Sequence, residues 1–142
     1  MLSDVTGQLI HSTFEIGRLL RTKMMVCAPD DMHMGQLHAL VFIREKEGIT
    51  MKELAKMLHV TSPSATSFVA RLEKLKYIKR THDEQNRKLV RVTLTPSGRK
   101  ILESKMAEKR KIVEKFLSGL TVDDQRSLLS LLQKMVAHCS AV

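Results

Sequence analysis

Between residues 50 and 94 the apolar pattern changes period, from the three-and-four spacing of helices to the alternation of a strand. That change restricts what the chain can fold into. Thr50 and Glu53 have the spacing of a capping box, in which the hydroxyl accepts from the N–H three residues on and the carboxylate reaches back. Leu54, Ala55 and Leu58 follow on one helical face, and His59-Val60 make a tight turn. A second helix opens at Thr61-Ser62-Pro63: either hydroxyl can cap it, and Pro63 suits a first turn whose N–H groups lack partners anyway. Within it Ala65, Phe68, Val69, Leu72 and Leu75 recur at core spacing, while Ser62, Ser64, Ser67 and Arg71 fall on the opposite side.

Two strands follow. The first, over 77–80, is short. The second, over 89–94, sets Val90, Val92 and Leu94 on one face and Leu89, Arg91 and Thr93 on the other. The tip between them, residues 82–88, is polar and turn-prone. The expected fold is therefore mainly α with a small β-hairpin wing, a winged helix-turn-helix. The outer side of the second helix suits entry into a DNA major groove: short side chains let the backbone approach, and residues near its N-terminus meet base edges.

Three segments resemble the MarR family of bacterial transcription regulators. Met32-His33-Met34-Gly35-Gln36 through Leu40 is similar to the opening of that family's second helix. Arg71-Leu72-Glu73-Lys74 through Ile78-Lys79-Arg80 resembles the exit of its recognition helix. Asp83 to Arg87, closed by Val92-Thr93-Leu94-Thr95-Pro96-Ser97-Gly98, resembles its wing and the start of its long dimer helix. The likeness spans essentially the whole chain in order, with departures. Lys76 stands where the family usually has Gly, Asn86 replaces the Asp before the wing arginine, and His33 replaces a Thr. The resemblance implies a dimeric repressor that occupies a promoter palindrome, with a small-molecule effector changing the distance between its two reading heads.

Charge is concentrated in the same region. The net charge is +9, and residues 51–91 carry ten Lys/Arg against four Asp/Glu, or +6, whereas residues 1–50 sum to −1 and residues 92–142 to +4. Cations on a helix-turn-helix displace counterions condensed on DNA and give salt-dependent affinity. Aromatic content of 4% with no Trp disfavours single-stranded nucleic-acid binders, which need stacking rings.

Outside 33–94 the chain is helical and apolar in stripes. Over 4–25, Leu9, Thr13, Ile16 and Leu20 share a line, with Ile10, Phe14 and Gly17 beside it. Residues 33–47 make another helix, ended by Gly48. Thr95-Pro96 starts a long helix reaching about Leu117, and Thr121 to Asp124 cap a last one with Leu128, Leu129, Leu131, Leu132, Met135 and Val136. These stripes exceed what the small core of the reading head can cover. One domain over 1–142 is expected, with 33–94 reading DNA and 4–25 and 96–138 as dimerisation helices.

The candidate contacts with double-stranded DNA are Ser62, Pro63, Ser64, Ser67 and Arg71 on the helix and Asn86, Arg87 and Lys88 on the wing. Arg87 suits a narrow minor groove. Arg71 has three readings: a bidentate guanine contact, a phosphate contact, or a pairing within the chain with Glu73 or the neighbours of Lys74. Two rival functions remain beside an effector-released regulator: a redox regulator using Cys27, which resembles peroxide-sensing members only in part because Cys27 lies near the end of the first helix rather than its start, and a protein-interaction module without DNA. No cofactor or metal is expected. His33 and His38 do not share a helical face, and Met106, Lys109 and Arg110 occupy the region of the histidine pair of zinc-responsive members. No catalytic motif, signal peptide or membrane-length apolar run appears, so a cytoplasmic non-enzyme is expected.

Overall fold

A computed structural model describes residues 4–26, 32 and 34–140. The elements in order are α1 (Val5–Val26), α2 (Met34–Glu45), β1 (Ile49–Thr50), α3 (Met51–Leu58), α4 (Ser62–Lys74), β2 (Ile78–His82), β3 (Val90–Leu94), α5 (Pro96–Leu117) and α6 (Val122–Ser140). They fall into two compact units, one of residues 28–107 and one of residues 1–27 with 108–142.

The 28–107 unit closes around a single core. Leu40, Ile43, Ile49, Leu54, Val69, Leu72, Val92 and Leu102 are all at most 1% exposed, so α2, α3, α4, the sheet and the first turns of α5 share one apolar interior. The sheet has three strands in the order β1-β3-β2, all antiparallel. Ile78 pairs with Leu94 and Arg80 with Val92, while Ile49 pairs with Val92 from the other side. The expected hairpin is thus present, with β2 running on to His82 and β3 beginning at Val90. β1 was not expected: two residues are too few to show an alternation, and their partner lies some forty positions away in sequence. Gly48, at φ +73°, makes the turn into it.

Leu75 also departs from the sequence reading. It is the C-cap of α4 and lies 44% exposed, because the helix ends before its spacing can bring it to the core. Lys76, next in line, takes φ +62°, and its N–H donates to the Glu73 carbonyl (2.9 Å). The left-handed turn that the family usually gives to glycine is therefore made here by a lysine. The start of α5 is bolted onto that turn. The Thr95 hydroxyl donates to the Lys76 carbonyl (2.6 Å) and accepts from the Gly98 N–H (3.0 Å), and the Thr95 N–H donates to the Tyr77 carbonyl (3.0 Å). A Cβ on Gly98 would stand 1.9 Å from the Tyr77 oxygen, so only glycine permits this approach.

The other unit is made of α1, the rest of α5, and α6. Asp4 opens α1 by accepting from the Gly7 N–H (2.7 Å). Thr121 and Asp124 cap α6 reciprocally, as the sequence predicts, at 3.2 Å in each direction. Both helices keep large apolar side chains in solvent; α6 buries none of its residues. No helix among the described residues is long and apolar enough to cross a membrane.

Candidate nucleic-acid interface

α3 and α4 form the helix-turn-helix, and each is fixed at its start by the caps legible in the sequence. Glu53 N–H donates to Thr50 Oγ1 (3.3 Å) and Thr50 N–H to Glu53 Oε2 (2.9 Å), completing the capping box. Lys46 at the end of α2 donates to the other carboxylate oxygen. This ammonium, together with the Thr50 N–H and hydroxyl, pulls the Glu53 carboxyl down to about 2. α3 closes at His59, which adopts φ +52°. Histidine is among the residues that tolerate this region. Of the two hydroxyls able to cap α4, Thr61 does so, accepting from the Ser64 N–H (3.4 Å).

The outer face of α4 is polar, small and open. Ser62, Pro63 and Ser67 are exposed, and Ser64 and Arg71 are half-buried. The Ser64 hydroxyl also accepts from Thr61 Oγ1 (3.0 Å), so it belongs to the cap as much as to the face. The same face includes two residues the sequence reading missed, Thr66 and Ala70, both exposed. The i, i+4 run Ser62, Thr66, Ala70, Lys74 was the signal for them. The Thr66 hydroxyl donates back to the Ser62 carbonyl (2.9 Å), so it is engaged within the helix while the residue stays exposed.

The wing carries the rest. Arg87, Asn86 and Lys88 sit exposed at its tip. Asp83 Oδ1 accepts from the N–H groups of Gln85 (2.9 Å) and Asn86 (3.0 Å), and Asn86 Oδ1 accepts from the Lys88 N–H (3.1 Å). Asp83 Oδ2 pairs with Arg91 on β3. The Arg91 guanidinium, then the two N–H groups, holds the Asp83 carboxyl below the usual carboxylate range. Arg80 is engaged too, pairing with Glu73 of α4. The cations left outward around this face are Lys52, Lys56, Lys74, Lys76, Lys79, Arg87 and Lys88, none in an ion pair among the described residues. Cys27 and His33 lie outside the described residues, and no cluster of three metal-ligating side chains occurs among those described.

A polar recognition helix beside a basic hairpin defines the winged helix-turn-helix class. Residues 32–90 match the model of the MarR family. The uncharacterized HTH-type transcriptional regulator YybA of Bacillus subtilis is 31% identical over 105 residues, covering 74% of this chain and 70% of YybA. Among solved structures, Streptococcus pneumoniae FabT in complex with DNA shares the fold at TM-score 0.79 and 22% identity, covering 97% of this chain and 99% of FabT. Bordetella bronchiseptica BpsR, studied for regulation of its DNA binding by 6-hydroxynicotinic acid, shares it at TM-score 0.76 and 23% identity, covering 91% of this chain and 98% of BpsR. The chain belongs to the MarR family of transcriptional regulators.

Proposed function

We propose that this chain is a homodimeric repressor that reads a palindromic site in double-stranded DNA and is released by a small-molecule effector. It acts by binding rather than by catalysis, in the cytoplasm where its DNA lies. The observation that carries this reading is the open stripe on α4, small and polar from Ser62 to Ser67 and continued by a wing whose Arg87 and Lys88 carry no ion pair. Ser62, Pro63, Ser64, Ser67 and Arg71, joined by Thr66 and Ala70, face the major groove; Arg87 enters the minor groove, and Asn86 and Lys88 meet the backbone. Residues 4–25 and 96–138 supply the dimer, which sets two reading helices about 34–36 Å apart for successive major grooves. The DNA-bound FabT and ligand-regulated BpsR support the two partners by kinship of fold.

The test is selection of duplexes from a random library by the wild-type protein, followed by fluorescence anisotropy across a salt series. The expected result is an enriched palindrome with a steep salt slope, and a slope reduced by about one per half-site in Arg87→Ala. Weak binding with no preferred sequence and no response to Arg87 overturns the reading. Addition of a small-molecule library to the complex then seeks the effector, and small-angle scattering tests whether it alters the spacing of the two heads.

A further inference from the structure

The wing tip grips its own backbone on both sides of Arg87. Asn86 N–H is held by Asp83 Oδ1 (3.0 Å), the Arg87 carbonyl lies 2.9 Å from His82 Nδ1, and Lys88 N–H is held by Asn86 Oδ1 (3.1 Å). Three consecutive residues are thus pinned while the Arg87 side chain stays exposed. Asp83 is central to this grip and its side chain is only 17% exposed. Its second oxygen takes the Nε–H of Arg91, and Arg91 Nη1 donates onward to the Gly48 carbonyl (2.9 Å), at the turn between α2 and β1. A chain of contacts therefore runs from the body of the reading unit to the tip of the hairpin.

We infer that Asp83 and Arg91 are positioning residues, forming a clasp that holds Arg87 ready for DNA. A polar hairpin tip without such a tie samples many conformations, and the ordering would have to occur on binding. Fixing it in advance removes that cost. The clasp also assigns Arg91 a role other than phosphate contact: its guanidinium is spent on Asp83 and Gly48, so it adds little to counterion release despite its charge. This inference rests on the wing contacting DNA, as proposed above.

The test is a double-mutant cycle on the duplex selected by wild-type protein, with Asp83→Ala, Arg91→Gln and Arg87→Ala alone and in pairs. Arg87→Ala is expected to weaken binding by about tenfold, the size of one good groove contact. Asp83→Ala and Arg91→Gln are expected to lose about fivefold in the wild-type background but less than about twofold in the Arg87→Ala background, because they act through Arg87. Asp83→Asn, which keeps an acceptor for the Gln85 and Asn86 N–H groups, falls between Asp83→Ala and wild type. Losses that persist undiminished without Arg87 overturn the positioning role, since they signal a general structural defect or a direct contact. So does a salt slope that drops by about one per half-site in Arg91→Gln. If wild type enriches no duplex, or Arg87→Ala binds as wild type does, the DNA reading of the wing fails and the clasp's role fails with it. Failure of the clasp alone appears only in the paired variants.

Discussion

The reading unit and the terminal helices use the same apolar residues to opposite ends. In the first, Leu40, Leu54, Val69 and Leu72 are fully buried by neighbours from the same unit. In the second, Leu129 is 56% exposed, Met135 63% and Val136 65%, and Phe14 on α1 reaches 75%. Helix capping does not separate them, since both have well-formed caps. The difference lies in what faces each stripe. Residues 28–107 wrap four helical segments around a sheet and close a core; α1 and α6 present apolar lines that one copy of the chain leaves in water. A surface of this kind calls for a partner; in the proposed dimer a symmetric second copy would cover it and supply the second reading head.

Paired leucine truncations separate the two regions most sharply. Leu40→Ala is expected to cost the reading unit about 2–5 kcal/mol, by lost transfer energy and a residual cavity, as seen in denaturant titration. Leu132→Ala on α6 should change that unit's stability by less than about 0.5 kcal/mol. Its effect should appear instead in sedimentation, as self-association weakened by about 1.5 kcal/mol for each copy that loses the side chain. If Leu132→Ala leaves the association constant unchanged, α6 is not part of the dimer.

Gly98→Ala probes the joint that seats the first turn of α5 against the turn after α4, within the reading unit. The new methyl would collide with a backbone carbonyl, which cannot swing aside as a side chain can. The expected loss lies near the top of the range of about 1–3 kcal/mol for overpacking. A variant as stable as wild type would mean that α5 can slide along its seat. Lys76→Gly acts on the same joint in the opposite direction. Relieving a left-handed lysine is expected to raise stability by about 1 kcal/mol, read as a higher midpoint in the same titration. A lower midpoint would show that the lysine stem packs usefully enough to outweigh its backbone.

How much of this was legible in the sequence depends on whether the signal was local. The caps at Thr50, Thr95 and Thr121, Pro63 in the first turn of α4, and the alternation of β3 are local, and each stands where the pattern put it. Lys76 is a subtler case. The departure from glycine was visible, and the chain resolves it by accepting a strained backbone rather than by ending α4 differently. The long-range features were hidden. β1 is defined by pairing with Val92 and Arg91, and Leu75 is exposed because the chain turns away just there. Asp83 read as the start of the wing segment without a partner of its own, since Arg91 and Arg91's partner Gly48 are brought to it only by the sheet. Thr66 and Ala70 could have been found, because their spacing from Ser62 is that of the exposed stripe.

The smallest expected effect concerns the capping box of α3, and pH isolates it. The Glu53 carboxyl is held at about 2 in the folded chain against an ordinary value of 4.5, chiefly by Lys46 and then by Thr50. A carboxylate whose folded value lies below its unfolded one binds protons more readily when unfolded, so it stabilises the fold fully above about pH 4.5. That contribution is lost as pH falls toward about 2. The group is 42% exposed, so solvent and salt weaken the effect. Glu53→Gln keeps an acceptor for the Thr50 N–H but has no charge to offer Lys46 and no proton to gain. Subtracting its stability-versus-pH curve from that of wild type should leave a single decline confined to this window, smaller in high salt. Identical curves would mean that the cap holds by hydrogen-bond geometry alone, and that the ion pair between α2 and α3 adds nothing to the closure of the reading unit.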